Sequence, residues 1–475
     1  MTPQQQILQR RREFLATSAS GIGTLALASL LKDDQLLAVD FERKDPLAPK
    51  PPHFDATAKA CIFIYLAGAP SHLDLFNPKP KLKELDGQTL PDSLTKNVRF
   101  AFINKNAKCK PTQEKFRRYG QSGMWFSNRL PHISSCADDI CMMHTMHTEA
   151  FNHHPGQLVM NCGDQKFGRP SIGAWLNYGL GTESKNLPGY VVLTAGPPAR
   201  GGATNWSSGF LPSTYQGVLF RNQGEPVLNL NNPKGLTDAV QRKSLEAVAD
   251  LNRERLNSVL DPEISSRIAA YELAYRMQAA APELIDLSSE TKQTLEKYGV
   301  NRSDGVQKSF ATNCLLARRL VERGSRFINI YHGGWDQHGN LTKDLAKNSM
   351  IVDQPIAALL KDLKQRGLLQ STMVVWGTEF GRTPLAQGGD GRDHHPSAYS
   401  MWMAGGGARG GYSHGDSDEI GWGIADKPLH IHDFHATLLH LFGLDDKNLT
   451  YRFKGLDFRL TGTGDTGTVV KELIA

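Results

Sequence analysis

Phe327-Ile-Asn-Ile-Tyr331-His332-Gly-Gly-Trp-Asp336-Gln-His338-Gly339 is a short apolar run that ends abruptly in glycine, acid and histidine. Helical periodicity precedes it over 310–323 and stops at Gly324, and resumes over 351–366 until Gly367. Further apolar runs at 373–376 and 399–404 read as strands, and 431–442 reads as a helix closed by Gly443. Strands alternating with helices that end on glycine predict βαβ units. The fold class expected is α/β, a mostly parallel sheet with helices on both faces. Upstream, 61–66, 140–146 and 190–193 supply three more buried strands. Between about 234 and 300 the chain is rich in Ala, Leu, Glu and Arg, with Leu245, Val248, Leu251 and Ile268, Tyr271, Tyr275 at helical spacing. An inserted helical segment is expected there, within an α/β domain spanning 60–475.

The chain has 475 residues, 40% of them apolar and 21% charged, which excludes a disordered, collagenous or disulfide-knot protein. The net charge of +6 is interleaved along the sequence, and no basic block reads as a nucleic-acid footprint. Six cysteines show neither haem nor zinc-knuckle spacing. Arg10-Arg11-Arg12-Glu13-Phe14-Leu15, followed by a mild apolar run over 16–31, reads as a twin-arginine export signal over 1–38. A Pro-rich linker over 39–59 follows. The expected location is the periplasm or cell surface, with the twin-arginine export machinery as a partner. Lys32 ends the apolar run short of the about 20 residues that span a bilayer, so no stable span is expected unless the signal stays uncleaved.

Ligands of open parallel sheets bind beyond the carboxyl ends of the strands. Five segments at that predicted edge carry nine of the 16 histidines. They are Gly68-Ala-Pro-Ser71-His72-Leu-Asp74, His144 to Gly156, His332 to Gly339, Gly377-Thr-Glu379-Phe-Gly-Arg382, and Gly391-Arg392-Asp393-His394-His395. Carboxylates and imidazoles gathered on one edge suit one or two divalent ions, with zinc, manganese, calcium and magnesium all open. Asp336 and His338 share a face if extended, whereas His394 and His395 diverge, so one of that pair is expected to bind. Glu379, at a strand end, is a further ligand candidate.

These residues resemble the alkaline phosphatase and sulfatase superfamily, and within it an uncharacterised group of exported, sulfatase-like proteins with twin-arginine signals. The resemblance runs from Ala60 to the C-terminus and is carried by 66–74, 333–338, 377–384, 392–395 and 431–443. It implies an alkaline-phosphatase-like fold and a metal set of Asp74, Asp336, His338, Glu379 and His394 or His395. It also implies ester hydrolysis of a small-molecule or glycan substrate. One departure concerns the nucleophile: where sulfatases carry Cys or Ser-x-Pro-x-Arg, this chain has His153-His-Pro155-Gly-Gln157. Formylglycine chemistry is therefore excluded.

Three readings of the catalytic group are open. Thr148 is the nucleophile; or His153, with His154 beside it, is a nucleophile or a base for metal-activated water; or catalysis is lost and metal kept. Arg382 or Arg392 is expected to hold the substrate anion. The function expected is an exported metal-dependent hydrolase of phosphate or sulfate esters. The alternative is a non-catalytic exported protein that binds a glycan or a protein partner.

Overall fold

The computed structural model describes residues 45–95, 100–259, 261–464 and 467–475. The segment read as an export signal, 1–38, lies outside the described residues, as does 39–44 of the linker.

Nine strands form one sheet. In chain order they are β1 (Ala60–Leu66), β2 (Ile140–His147), β3 (Tyr190–Ala195), β4 (Val218–Phe220), β5 (Phe327–His332), β6 (Thr372–Gly377) and, after a separate hairpin of β7 (Gly381–Gln387) and β8 (Gly391–His395), β9 (Tyr399–Ala404), β10 (Tyr412–His414) and β11 (Leu429–His430). The order across the sheet is β10-β2-β9-β6-β1-β5-β3-β4, with β11 also paired to β2. All pairings are parallel except those of β9, which runs antiparallel to β2 and β6. The expected α/β class, with a mostly parallel sheet, is what the chain adopts.

β1 shows why the sheet sits in the middle. Ile62, Ile64 and Leu66 enter one core, and Cys61, Phe63 and Tyr65 enter the other. A strand buried on both faces has no polar side to alternate, so its sequence reads as a continuous apolar run. The first core is completed by α6 (Gly305–Glu322) and α7 (Leu341–Gln365), and the second by α2 (Ile172–Leu180) and α8 (Ile431–Leu441). The remaining longer helices are α1 (His153–Cys162), an outlying pair α3 (Asp238–Val259) and α4 (Pro262–Ile285), and α5 (Lys292–Tyr298).

Three details depart from the sequence reading. Helix α7 starts at Leu341, ten residues before expectation, because Asp390 in the β7–β8 turn accepts from Leu341 N through its carbonyl and from Thr342 N through its carboxylate. Helix α6 starts at Gly305, where the Asp304 side chain accepts from Gln307 N. The segment 391–395, expected to be loop, is the strand β8, antiparallel to β7.

Candidate metal centre

The parallel strands β1, β5 and β6 end on the same edge, and the segments that follow them converge there. The loop after β1 brings Gly68 against the loop after β5. Gly68 has φ +114°, and a Cβ on it would collide with the backbone of Trp335 and Asp336. Only glycine lets these two loops meet. The hairpin closes over them from the β6 side: a Cβ on Gly391 would strike the His338 carbonyl.

Four side chains converge in the enclosed space. His153, Asp336, His338 and His394 each offer one ligand atom, and those atoms lie within 4.8 Å of one another. Asp336 Oδ1 is the centre, 2.9 Å from His153 Nε2, 2.8 Å from His338 Nε2 and 3.5 Å from His394 Nε2. The other nitrogen of each ring is already committed. His153 Nδ1 donates to Glu379 Oε1 at 2.7 Å, His338 Nδ1 to Gln387 Oε1 at 2.5 Å, and His394 Nδ1 to the Phe151 carbonyl at 2.7 Å. Each Nδ1 carries its proton toward an acceptor, so each neutral ring aims an Nε2 lone pair at a carboxylate oxygen. Four lone-pair donors facing one another repel unless a metal cation lies between them or one ring takes a proton. His153, with its pKa raised to about 9, is the ring that takes it when no metal is bound. His153 Nε2 is also buried and makes no hydrogen bond, although Asp336 Oδ1 is close. The donor set therefore fits a metal ion, with the outward hydrogen bonds fixing each ring as metal-binding imidazoles are fixed.

The electrostatics agree. Burial alone would lower the His153 pKa, but Asp336 and Glu379 flank the ring and raise it to about 9. Burial opposes ionisation of Asp336 too, yet His153, His338 and His394 hold its carboxyl far below the ordinary range. The metal-free site thus draws positive charge to itself. Glu379 is wholly buried, and burial would raise its pKa; the His153 ring and the Gly68 N–H outweigh this and lower it.

The structure distributes the expected residues unevenly. Asp336, His338 and His394 meet in the cluster, and His153, expected to do the chemistry, meets them there as a fourth donor. Glu379 is not in the cluster. Its Oε1 accepts from Gly68 N, His153 Nδ1 and Gln157 Nε2, and its Oε2 lies 3.1 Å from Thr378 Oγ1, so it orients the His153 ring from outside the cluster. Asp74 is also elsewhere, paired to Arg392 Nε at 2.8 Å and accepting from Ser71 Oγ at 2.5 Å. His395 points away from His394, as strand alternation requires, and bonds the Trp422 carbonyl through Nε2 at 2.8 Å.

Neither expected anion-holding arginine is available. The Arg382 side chain has no exposed surface and serves the carbonyls of Gly68, Ala69 and Arg392 and the Asp336 carboxylate. The Arg392 side chain is equally sealed, against Asp74 and the carbonyls of Lys110 and Thr383. Thr148 is held by backbone contacts, its N–H to the Pro396 carbonyl and its Oγ1 to Ala150 N. His154 turns from the cluster to Thr204 Oγ1, at 3.4 Å, and to the Phe167 ring.

Sequence reasoning missed Gln387 and the Phe151 carbonyl, which orient His338 and His394. No local signal marks either, since a glutamine on a polar strand and a backbone oxygen carry no pattern. It also missed Phe102, whose exposed ring stands edge-on to His338 and His394. A cleft of about 360 Å³ opens on the His153 and Asp336 side. Gly68, Gly333 and Gly334 form part of its wall, and Pro197 to Arg200 another.

Structural neighbours are sulfatases and members of the alkaline phosphatase superfamily. The PsFucS1 sulfatase from Pseudoalteromonas sp. is 12% identical, covering 86% of this chain and 73% of its own, with a TM-score of 0.38. An alkaline phosphatase superfamily protein from Vibrio parahaemolyticus is 10% identical over 87% and 74%, with a TM-score of 0.34. A TAB5 alkaline phosphatase variant with Mg bound is 13% identical over 74% and 92%, with a TM-score of 0.30. These scores mark a likeness in broad architecture, and the reading of the site rests on its own geometry. None of the curated proteins matches the chain. The family described as "Protein of unknown function (DUF1501)" matches residues 58–474, and the chain belongs to that family.

Proposed function

We propose that this chain is an exported, metal-dependent hydrolase of phosphate or sulfate esters that uses water as the attacking group. One observation carries the metal dependence: three imidazole Nε2 atoms and a carboxylate oxygen converge within 4.8 Å while every Nδ1 is held by an acceptor outside. Three nitrogens and one oxygen suit a transition ion such as zinc or manganese. Calcium and magnesium, which favour all-oxygen shells, suit it less. His153, Asp336, His338 and His394 would hold one ion. When bound, such an ion polarises an ester oxygen and lowers the pKa of water.

The protein's own residues do the rest. Glu379, Gln387 and the Phe151 carbonyl fix the three rings, so the ligand geometry is set before metal or substrate arrives. Arg382 holds Asp336 from behind at 2.8 Å and offsets one of three local negative charges, those of Asp336, Glu379 and Asp393. A divalent ion would then bring the centre close to neutral, so an anionic substrate needs a further cation beside it. Among the described residues, the cleft beside His153 is lined by no Ser, Thr, Cys or Tyr. With no side-chain hydroxyl or thiol to attack, direct hydrolysis by water fits better than a covalent intermediate. The ester class rests on the motif resemblance, and export rests on the twin-arginine segment. Residues 60–475 are read as one catalytic domain, with 234–300 as an insertion.

The test is hydrolysis of aryl phosphate and aryl sulfate esters by the full chain supplied with zinc or manganese. Metal-dependent turnover that Asp336→Asn abolishes supports the proposal; turnover independent of metal and of Asp336 contradicts it. The lack of a hydroxyl in the cleft also favours a second reading, a non-catalytic binder, which any metal-dependent turnover eliminates.

A further inference from the structure

We propose that Arg200 is the anion clamp of this cleft, and that the substrate is a small ester whose charged group lies between the Arg200 guanidinium and the His153–Asp336 side of the cluster. This rests on the metal-centre reading above. An anionic substrate needs a cation with free donors, and Arg382 and Arg392 have spent theirs inside the protein. In the cleft, four polar side chains are present: His153, Asp336, Gln157 and Arg200. The first two belong to the cluster. Gln157 is buried and committed, its Nε2 to Glu379 Oε1 at 3.2 Å and its Oε1 to Asn205 Nδ2 at 3.4 Å. Pro197 and Pro198, on the same wall, have no backbone N–H to offer. Arg200 remains, exposed and without an ion-pair partner among the described residues.

Its place is fixed by the interior. The Arg200 carbonyl accepts from Asn205 Nδ2 at 2.8 Å, and Asn205 has no exposed surface. The same amide reaches Gln157, which reaches Glu379, which holds His153. A chain of four hydrogen bonds therefore runs from a metal-facing ring to the backbone of Arg200. It registers the base of the arginine against the centre and leaves the guanidinium free to move onto a ligand. That planar fork matches two oxygens of a tetrahedral oxyanion. A cleft of about 360 Å³ is at the small end of ligand pockets, which run from about 300 to 1,000 Å³. It suits a small organic monoester.

Inorganic phosphate and sulfate are the probes. Their binding to the full chain supplied with zinc or manganese is measured by calorimetry for the wild type, Arg200→Ala and Arg200→Lys, with metal content determined on the same samples. The expected result is anion affinity lowered about tenfold or more in Arg200→Ala, partly restored in Arg200→Lys, and metal content unchanged in both. Where an ester is turned over, KM rises in Arg200→Ala by more than kcat falls. Equal anion affinity in wild type and Arg200→Ala overturns the clamp, as does a wild type that binds neither anion. Wild type without metal overturns the metal centre instead. An affinity that still falls in Arg200→Ala under that condition upholds the clamp separately.

Discussion

Asp336 Oδ1 is approached within 3.5 Å by three imidazole nitrogens and one guanidinium. At this scale each ring depends on the acceptor behind it. Glu379 is the clearest case, because its single carboxylate orients His153 and also takes the Gly68 N–H. Glu379→Gln keeps the shape and removes the charge. Its expected effect is a loss of about 10- to 100-fold in metal affinity with the fold retained, checked by competition with a chelator and by circular dichroism. Some of this was legible in the sequence. The Asp-x-His spacing of Asp336 and His338 and the divergence of His394 from His395 both follow from strand geometry. What was not legible is which carboxylate joins the histidine cluster. Asp74 and Glu379 sit in equally suggestive loops, but their partners, Arg392 and His153, come from segments far away in the chain. Charge pairing across a fold leaves no local pattern.

At the scale of elements, the centre is made by three loops and one hairpin pressed together, and glycine decides how closely. Gly68→Ala would place a methyl against the backbone of Trp335 and Asp336 at a φ of +114°. The expected outcome is a stability loss of about 1–3 kcal/mol from backbone strain together with weaker metal binding, measured by thermal unfolding with and without added metal. The strands and helices of the sheet were readable because each is apolar at a fixed period. The hairpin was not. Arg392, Asp393, His394 and His395 are all buried, yet none is apolar. Asp393 accepts from the N–H groups of Phe102 and Ile103, and Arg392 pairs with Asp74, so pairing drives their burial. A hydropathy pattern cannot show a strand buried for that reason.

At the scale of the whole molecule, buried neutral histidines set the response to acid. Burial depresses the pKa of His332 and His395 to about 4 and of His435 to about 3. In the unfolded chain each titrates near 6.5. Between those limits the unfolded state binds more protons, so the folded state is at full advantage above about pH 6.5 and loses it as pH falls toward 4. Three such groups act together at about 4 kcal/mol per pH unit. A steep fall in unfolding midpoint between pH 6 and pH 4 is expected in denaturant titrations, and a flat profile there would show that these rings are not neutral and buried. No helix among the described residues is long and apolar enough to cross a membrane. Whether this sheet edge is a metal centre is decided by elemental mass spectrometry on the purified full chain and on Asp336→Asn. About one equivalent of a transition ion is expected in the wild type, retained through dialysis, and little in the variant. A wild type that holds no metal even after incubation with excess zinc and manganese, or a variant that holds as much, would contradict the metal centre.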